Sequence, residues 1–171
     1  MIRTNNEPLR IVTATKADVP VILSLIRELA EYERLAHEVV ATEEILEETL
    51  FGDRRYAEVL LAYLGDAPAG YALFFHSFST FLGRPGIYLE DLYVKPQHRG
   101  CGIGTKLLGR LAKLASDRMC GRLEWAVLNW NEPSIGFYKS LGARPMNEWT
   151  VYRLTGDQIG RLGAAAQADK F

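Results

Sequence analysis

"QHRGCGIGTKLLGRLAKL" (residues 97–114) places Gly100, Gly102 and Gly104 at alternate positions and then passes into leucines at helical spacing. Glycines ahead of a helix let the backbone turn tightly and aim successive N–H groups one way, with no Cβ to bar a ligand. The helix that follows leaves its first N–H groups unpaired and adds the positive end of its dipole. Such a stretch is either a plain chain reversal or a seat for an anion such as a pyrophosphate. His98 and Arg99 put donor or cationic groups at its rim. Two nucleotide signatures fail here. A P-loop needs Lys directly after its last Gly, but Thr105 intervenes before Lys106. A dinucleotide fingerprint counted from Gly100 needs a small final residue where Thr105 stands, and Glu124 falls near the start of the next strand instead of its end.

Working outward, the helix runs from about Ile103 to Asp117. Before it lies "GIYLEDLYV" (86–94), an aromatic and β-branched strand. "YAEVLLAYL" (56–64) and "AGYALFFHSF" (69–78) flank the turn cluster Gly65-Asp66-Ala67-Pro68 and form a hairpin. Further back, "LRIVTAT" (9–15) alternates as a strand, and Thr15 with Asp18 has the spacing of a capping box. Pro20 suits the first turn of a helix that carries Val19, Ile22, Leu25, Ile26 and Leu29 as far as about Leu35. Thr42 followed by Glu43 and Glu44 opens a second helix. After the glycine stretch, "RLEWAVL" (122–128) is a strand, and "NEPSIGFYKSLG" (131–142) a short helix opened by Pro133 and closed by Gly142. "WTVYRL" (149–154) reads as the last strand. Thr155 and Gln158 would cap a tail helix that frays in "GAAAQADKF". The fourth and fifth strands, joined by a helical crossover, are expected to be parallel and the earlier pairs antiparallel. The expected fold is one α/β domain over 1–171, core about 9–154, with a mixed, mostly antiparallel sheet and helices on both faces.

The 171 residues carry a formal net charge of −1, which excludes the basic excess of a nucleic-acid binder. Neither a leader nor a membrane span is read in the chain, so a cytoplasmic location is expected. The three histidines share no ligand spacing with Cys101 and Cys120, which speaks against a metal site. No nucleophile elbow precedes an Asp and a His, which argues against a hydrolase triad. Cys101, before a helix N-terminus, is either a reactive thiol or loop filler, and filler is the reading preferred.

The segment 97–104 resembles the Q/R-x-x-G-x-G/A loop of the acetyl-CoA-dependent N-acetyltransferase (GNAT) superfamily. "IRELAEYE", "YLED", "RGCGIG" and "WNEPSIGFYKSLGA" resemble the spermidine/spermine and thialysine N-acetyltransferase group, over about Leu9 to Leu154. The resemblance implies acetyl-CoA as co-substrate, a parallel strand pair splayed around it, and a homodimer. It puts the pyrophosphate on Arg99, Gly100, Cys101, Gly102, Ile103, Gly104 and Thr105. It puts the pantetheine arm along the backbones of Leu92, Tyr93 and Val94, beside Asn131 and Ser134. The segment "FSTFLGRPG" (78–86), expected to line the acceptor cleft, departs from the polyamine enzymes in length and residue types.

Transfer to an amine requires that the ammonium lose a proton, that the thioester carbonyl be polarised, and that the thiolate be protonated as it leaves. A phenol is a competent acid for the last step, and the resemblance assigns it to Tyr138 of "FYK". It assigns the base to Glu90, acting through water. In an alternating strand Glu90 and Asp91 face opposite ways, so Asp91 would pair with a cation of the protein or the substrate. A backbone N–H at about Leu92 or Tyr93 would polarise the carbonyl. Glu28 and Tyr32 are candidates near the amine, although the glutamates of "RELAEYE" also suit a solvated helix face. The expected acceptor is a polyamine, diamine or thialysine-like amino acid. A protein-lysine acetyltransferase and a non-catalytic acyl-CoA-binding module are the alternatives.

Overall fold

A computed structural model describes residues 8–168. The beginning of the chain, read as lacking a leader, and the last residues of the fraying tail lie outside the described residues. The elements are β1 (Leu9–Thr13), α1 (Val19–Tyr32), α2 (Glu43–Phe51), β2 (Glu58–Leu64), β3 (Ala67–Ser79), β4 (Arg84–Val94), α3 (Ile103–Asp117), β5 (Leu123–Trp125), α4 (Glu132–Ser140) and α5 (Asp157–Ala168). The strands form one sheet in the order β1-β2-β3-β4-β5, antiparallel throughout except for the parallel pair β4–β5. The described residues fall into two compact units that meet at 126/127.

In the first unit, local chemistry sets where α1 starts. The Asp18 carboxylate accepts from the Thr15 N–H at 2.7 Å and the Thr15 hydroxyl at 2.8 Å, and Pro20 occupies the first turn. Ile22, Leu25 and Leu29 then point inward onto Val59, Leu61, Tyr71 and Tyr93. The Thr42 hydroxyl caps α2 by accepting from the Ile45 N–H, and Leu46 and Leu50 join the same cluster. On the opposite face of the sheet, Leu60, Ala72, Phe74, Ile87 and Leu89 are buried on the side of α3, which contributes Ile103, Leu107 and Leu111. Arg118, just past α3, forks onto Glu58 of β2 (Nη2 to Oε2 2.8 Å) and covers the Phe74 ring, which fastens the end of that helix to the sheet.

A bulge reverses the alternation of β4. Leu89 lies opposite Phe74, whereas Asp91 lies opposite Leu73 and Tyr93 opposite Tyr71, so Glu90 is the extra residue. Because Phe74 and Leu73 face opposite sides, Leu89 belongs to the α3 face while Asp91 and Tyr93 turn to the α1 face. Uninterrupted alternation would have put all three on one side.

In the second unit, Asn131 caps α4 through its side-chain oxygen, which accepts from the Ser134 N–H at 3.3 Å. Pro133 lies in the first turn, and Gly142 ends the helix at φ +85°. The expected last strand at 149–154 is a correction. Those residues form no ladder among the described residues, and Val151 and Tyr152 lie exposed. Alternation suits a segment to a sheet but does not supply the neighbouring edge that makes it a strand. The strand read in "RLEWAVL" is likewise short, and the parallel pair therefore stands at the edge of the described sheet. No helix among the described residues is long and apolar enough to cross a membrane.

Candidate active site

The glycine stretch opens α3 by the geometry its residues demand. Gly100 and Gly102 have φ of +75° and +78°, a region that favours glycine, and Gly102 is the N-cap of α3. No side chain caps the helix, and its first backbone bond runs from the Lys106 N–H to the Gly102 carbonyl. The N–H groups of Ile103, Gly104 and Thr105 are thereby left without a partner among the described residues. A Cβ on Gly100 or Gly102 would meet no atom within 4 Å. The space before the helix is open, so a phosphate-sized anion fits against bare amides.

β4 leads into this cradle with one side unpaired. It bonds β5 only over Ile87–Leu89, and from Asp91 to Val94 its ladder is with β3 alone among the described residues. The backbone edge at Leu92, Tyr93 and Val94 can therefore accept an extended chain as an added strand. The Val94 carbonyl is already taken by Arg99 Nε at 2.9 Å. Arg99 itself stacks on Tyr32 of α1, its guanidinium carbon 4.4 Å from the ring centroid, and lies 5.8 Å from that of Tyr93. The side chain expected at the rim of the anion seat is thus engaged by two tyrosines, and the loop presents backbone amides in its place. Cys101 is exposed, with Sγ against the Arg99 carbonyl.

If the cradle seats acetyl-CoA, Gly102→Ala is expected to weaken its binding about tenfold, because an L residue relaxes the free loop out of the left-handed conformation and regaining it costs roughly 1–2 kcal/mol. Titration calorimetry on the folded variant checks this. An unchanged affinity would take the cradle out of cofactor binding.

On the α1 face of β4 several ionisable groups converge. The Tyr71 hydroxyl donates to Asp91 Oδ2 at 2.9 Å. Burial raises Asp91 above the usual carboxylate range, Glu90 adds to the rise, and the Tyr71 bond opposes it. Tyr71 itself is pushed far up, by burial first and then by Asp91. Glu33, the residue that closes α1, is raised by burial and then by the Asp91 charge. Neither carboxylate forms an ion pair among the described residues. Glu28 differs, because it holds Lys95 at 3.0 Å and accepts from the Tyr93 hydroxyl at 3.3 Å. Burial, and then Glu28, raise Tyr93. Lys95 thus pairs with Glu28 of the expected acidic rim, whereas the protein partner of Asp91 is a neutral phenol, which leaves the substrate as the source of the cation expected beside it. Sequence reasoning missed Tyr71 and Lys95 as members of this cluster, and it counted Glu33 among the acids of the rim without singling it out.

Glu90 is exposed on the bulge and makes no hydrogen bond or ion pair among the described residues. The turn between β3 and β4, expected to line the acceptor cleft, lies at the end of β4 away from the glycine cradle, and Phe78, Phe81 and Leu82 are exposed there. In the second unit Asn131 is buried at the head of α4, and Tyr138 packs its ring against Phe137 at 5.4 Å between centroids.

Comparison with known proteins agrees with this geometry. Residues 22–143 match the Acetyltransferase (GNAT) family. A thialysine N-epsilon-acetyltransferase of Bos taurus is 42% identical over 160 residues, covering 87% of this chain and 94% of the relative. An L-ornithine N5-acetyltransferase of Arabidopsis thaliana is 33% identical, covering 88% of this chain and 86% of its own. Among solved structures, an integron cassette protein from the mobile metagenome of V. cholerae superposes with a TM-score of 0.77 at 28% identity, covering 91% of this chain and 97% of that one. The bare amides ahead of α3, the open edge of β4 and these relatives together make the chain a member of the GNAT family of acetyltransferases, enzymes whose co-substrate is acetyl-CoA.

Proposed function

We propose that this enzyme acetylates the side-chain amine of a small dibasic amino acid of the thialysine or ornithine kind. The observation that carries the reading is Asp91, a half-buried carboxylate with Glu33 nearby and no ion pair among the described residues. Such a group gains most by meeting a positive charge from the substrate. The names of the two relatives support the same class of acceptor.

Acetyl-CoA, when bound, supplies the acetyl group as a thioester. The backbone from Arg99 and Gly100 through Cys101, Gly102, Ile103, Gly104 and Thr105 would hold its pyrophosphate, and the edge at Leu92, Tyr93 and Val94 its extended arm. Asn131 and Ser134 would also contact it. Glu90, solvated on its bulge, takes the amine proton through water, and Tyr138 gives a proton to the departing sulfur. Asp91 anchors a second cationic group of the substrate. Tyr32 borders the amine site, and Glu28 acts there by fixing Lys95 and the Tyr93 hydroxyl. No metal is called for by this chemistry. The chain works as one catalytic domain in the cytoplasm.

A thiol-release assay across thialysine, ornithine, putrescine, spermidine, lysine and a histone-like peptide tests this. The highest kcat/KM is expected on thialysine or ornithine. Turnover confined to the peptide would refute a small acceptor, and acetyl-CoA binding without turnover would favour a binding module. Homodimerisation is part of the proposal, supported by the exposed Met146, Trp149, Val151, Tyr152 and Leu154. Exposed apolar side chains of this kind suit an interface between copies, and light scattering would read the mass.

A further inference from the structure

We propose that Tyr71 is a positioning residue whose buried hydroxyl, by donating to Asp91 Oδ2, aims that carboxylate at the second cationic group of a dibasic substrate. The inference rests on the reading of Asp91 as substrate anchor and adds the residue that makes it one.

Tyr71 is fully buried on β3, its ring packed in the cluster of Ile22, Leu25, Leu61 and Tyr93. A phenylalanine would fill that place with no polar atom to satisfy, so the hydroxyl needs its own reason. Its partner is Asp91 Oδ2, and Oδ1 of the same carboxylate has no hydrogen bond among the described residues. One oxygen is tethered and the other is left for a ligand. The tether spans the two strands across the bulge, which is what turns Asp91 towards Tyr71 in the first place.

Among the described residues, the groups that face Asp91 are Tyr71 from β3, Glu90 beside it on β4, and Glu33 from the end of α1. Two of these are acids, and with burial they favour a neutral carboxyl that would attract no cation. The phenol O–H is the group that favours the ionised form, because a carboxylate is the stronger acceptor. Losing that bond lets Asp91 take a proton at higher pH. The acid limb of activity, which needs the carboxylate ionised, then moves to higher pH.

The test compares wild type, Tyr71→Phe and Asp91→Asn on thialysine and on n-butylamine, which carries no second ammonium. Melting curves check that both variants are folded. Tyr71→Phe is expected to raise KM for thialysine roughly tenfold near neutral pH, with a smaller change in kcat, as suits a lost hydrogen bond to a charged group. Its acid limb for thialysine should shift upward, and its kcat/KM for butylamine should fall far less. Asp91→Asn should raise KM for thialysine at least as much and abolish that limb. If Asp91→Asn has this effect while Tyr71→Phe keeps the wild-type KM and limb, Tyr71 only fills the core and the inference is overturned. If Asp91→Asn binds thialysine as wild type does, the anchor reading beneath it fails instead.

Discussion

Tyr138→Phe is expected to lower kcat by at least about tenfold while leaving the affinity for acetyl-CoA nearly unchanged. The substitution removes one oxygen and keeps the ring, so the contact with Phe137 survives. The Asn131 cap and Pro133, which fix where α4 begins, are also untouched. What is lost is a proton donor whose ordinary pKa, near 10, lies close to that of an alkyl thiol. A thiolate leaving without it must be protonated by water, and that step lies within turnover, which is why the loss belongs to kcat. Pre-steady-state measurement of thiol release checks it. Should kcat be unchanged, Tyr138 is a packing residue and the sulfur takes its proton from solvent.

Much of the frame was legible because it rests on local chemistry. The glycines at 100 and 102 announce left-handed backbone, and the leucine spacing after Ile103 announces the helix, so α3 begins and ends where the pattern says. The Thr15–Asp18 box and the Thr42 cap are similarly short-range. The bulge at Glu90 left no such mark. "IYLEDLYV" sets two adjacent acids between two apolar runs, a pattern that does not say which residue is extra, and the bulge is visible only in the register against β3. The Tyr71–Asp91 bond depends on that register, as the Lys95–Glu28 pair depends on the packing of α1 against the sheet. Long-range pairs of this kind decide which carboxylates are neutralised within the protein: Glu28 meets Lys95, and Asp91 meets a phenol. The segment 149–154 failed for a related reason. Its residues suit a strand, but a strand is a relation between two segments, and one segment cannot declare it.

Glu90→Gln should cost roughly a thousandfold in kcat near neutral pH, within the range typical of a lost general base. The amide keeps the size and polarity of the side chain on an exposed bulge, so folding should be little affected. The carboxylate stands beside solvent, which suits a base that works through an intervening water. Without it, only substrate already deprotonated can react. An alkylammonium with pKa about 10.4 offers roughly one molecule in a thousand in that form near neutrality. The deficit should therefore shrink as pH rises towards the pKa of the amine, where the substrate sheds its proton unaided. Wild type and variant would then converge at the alkaline end of a kcat–pH profile. Asp91→Asn, in contrast, should act through KM. Two kcat profiles that stay parallel across the whole range would mean that Glu90 accepts no proton, and the base would have to be sought among the other carboxylates of the α1 face.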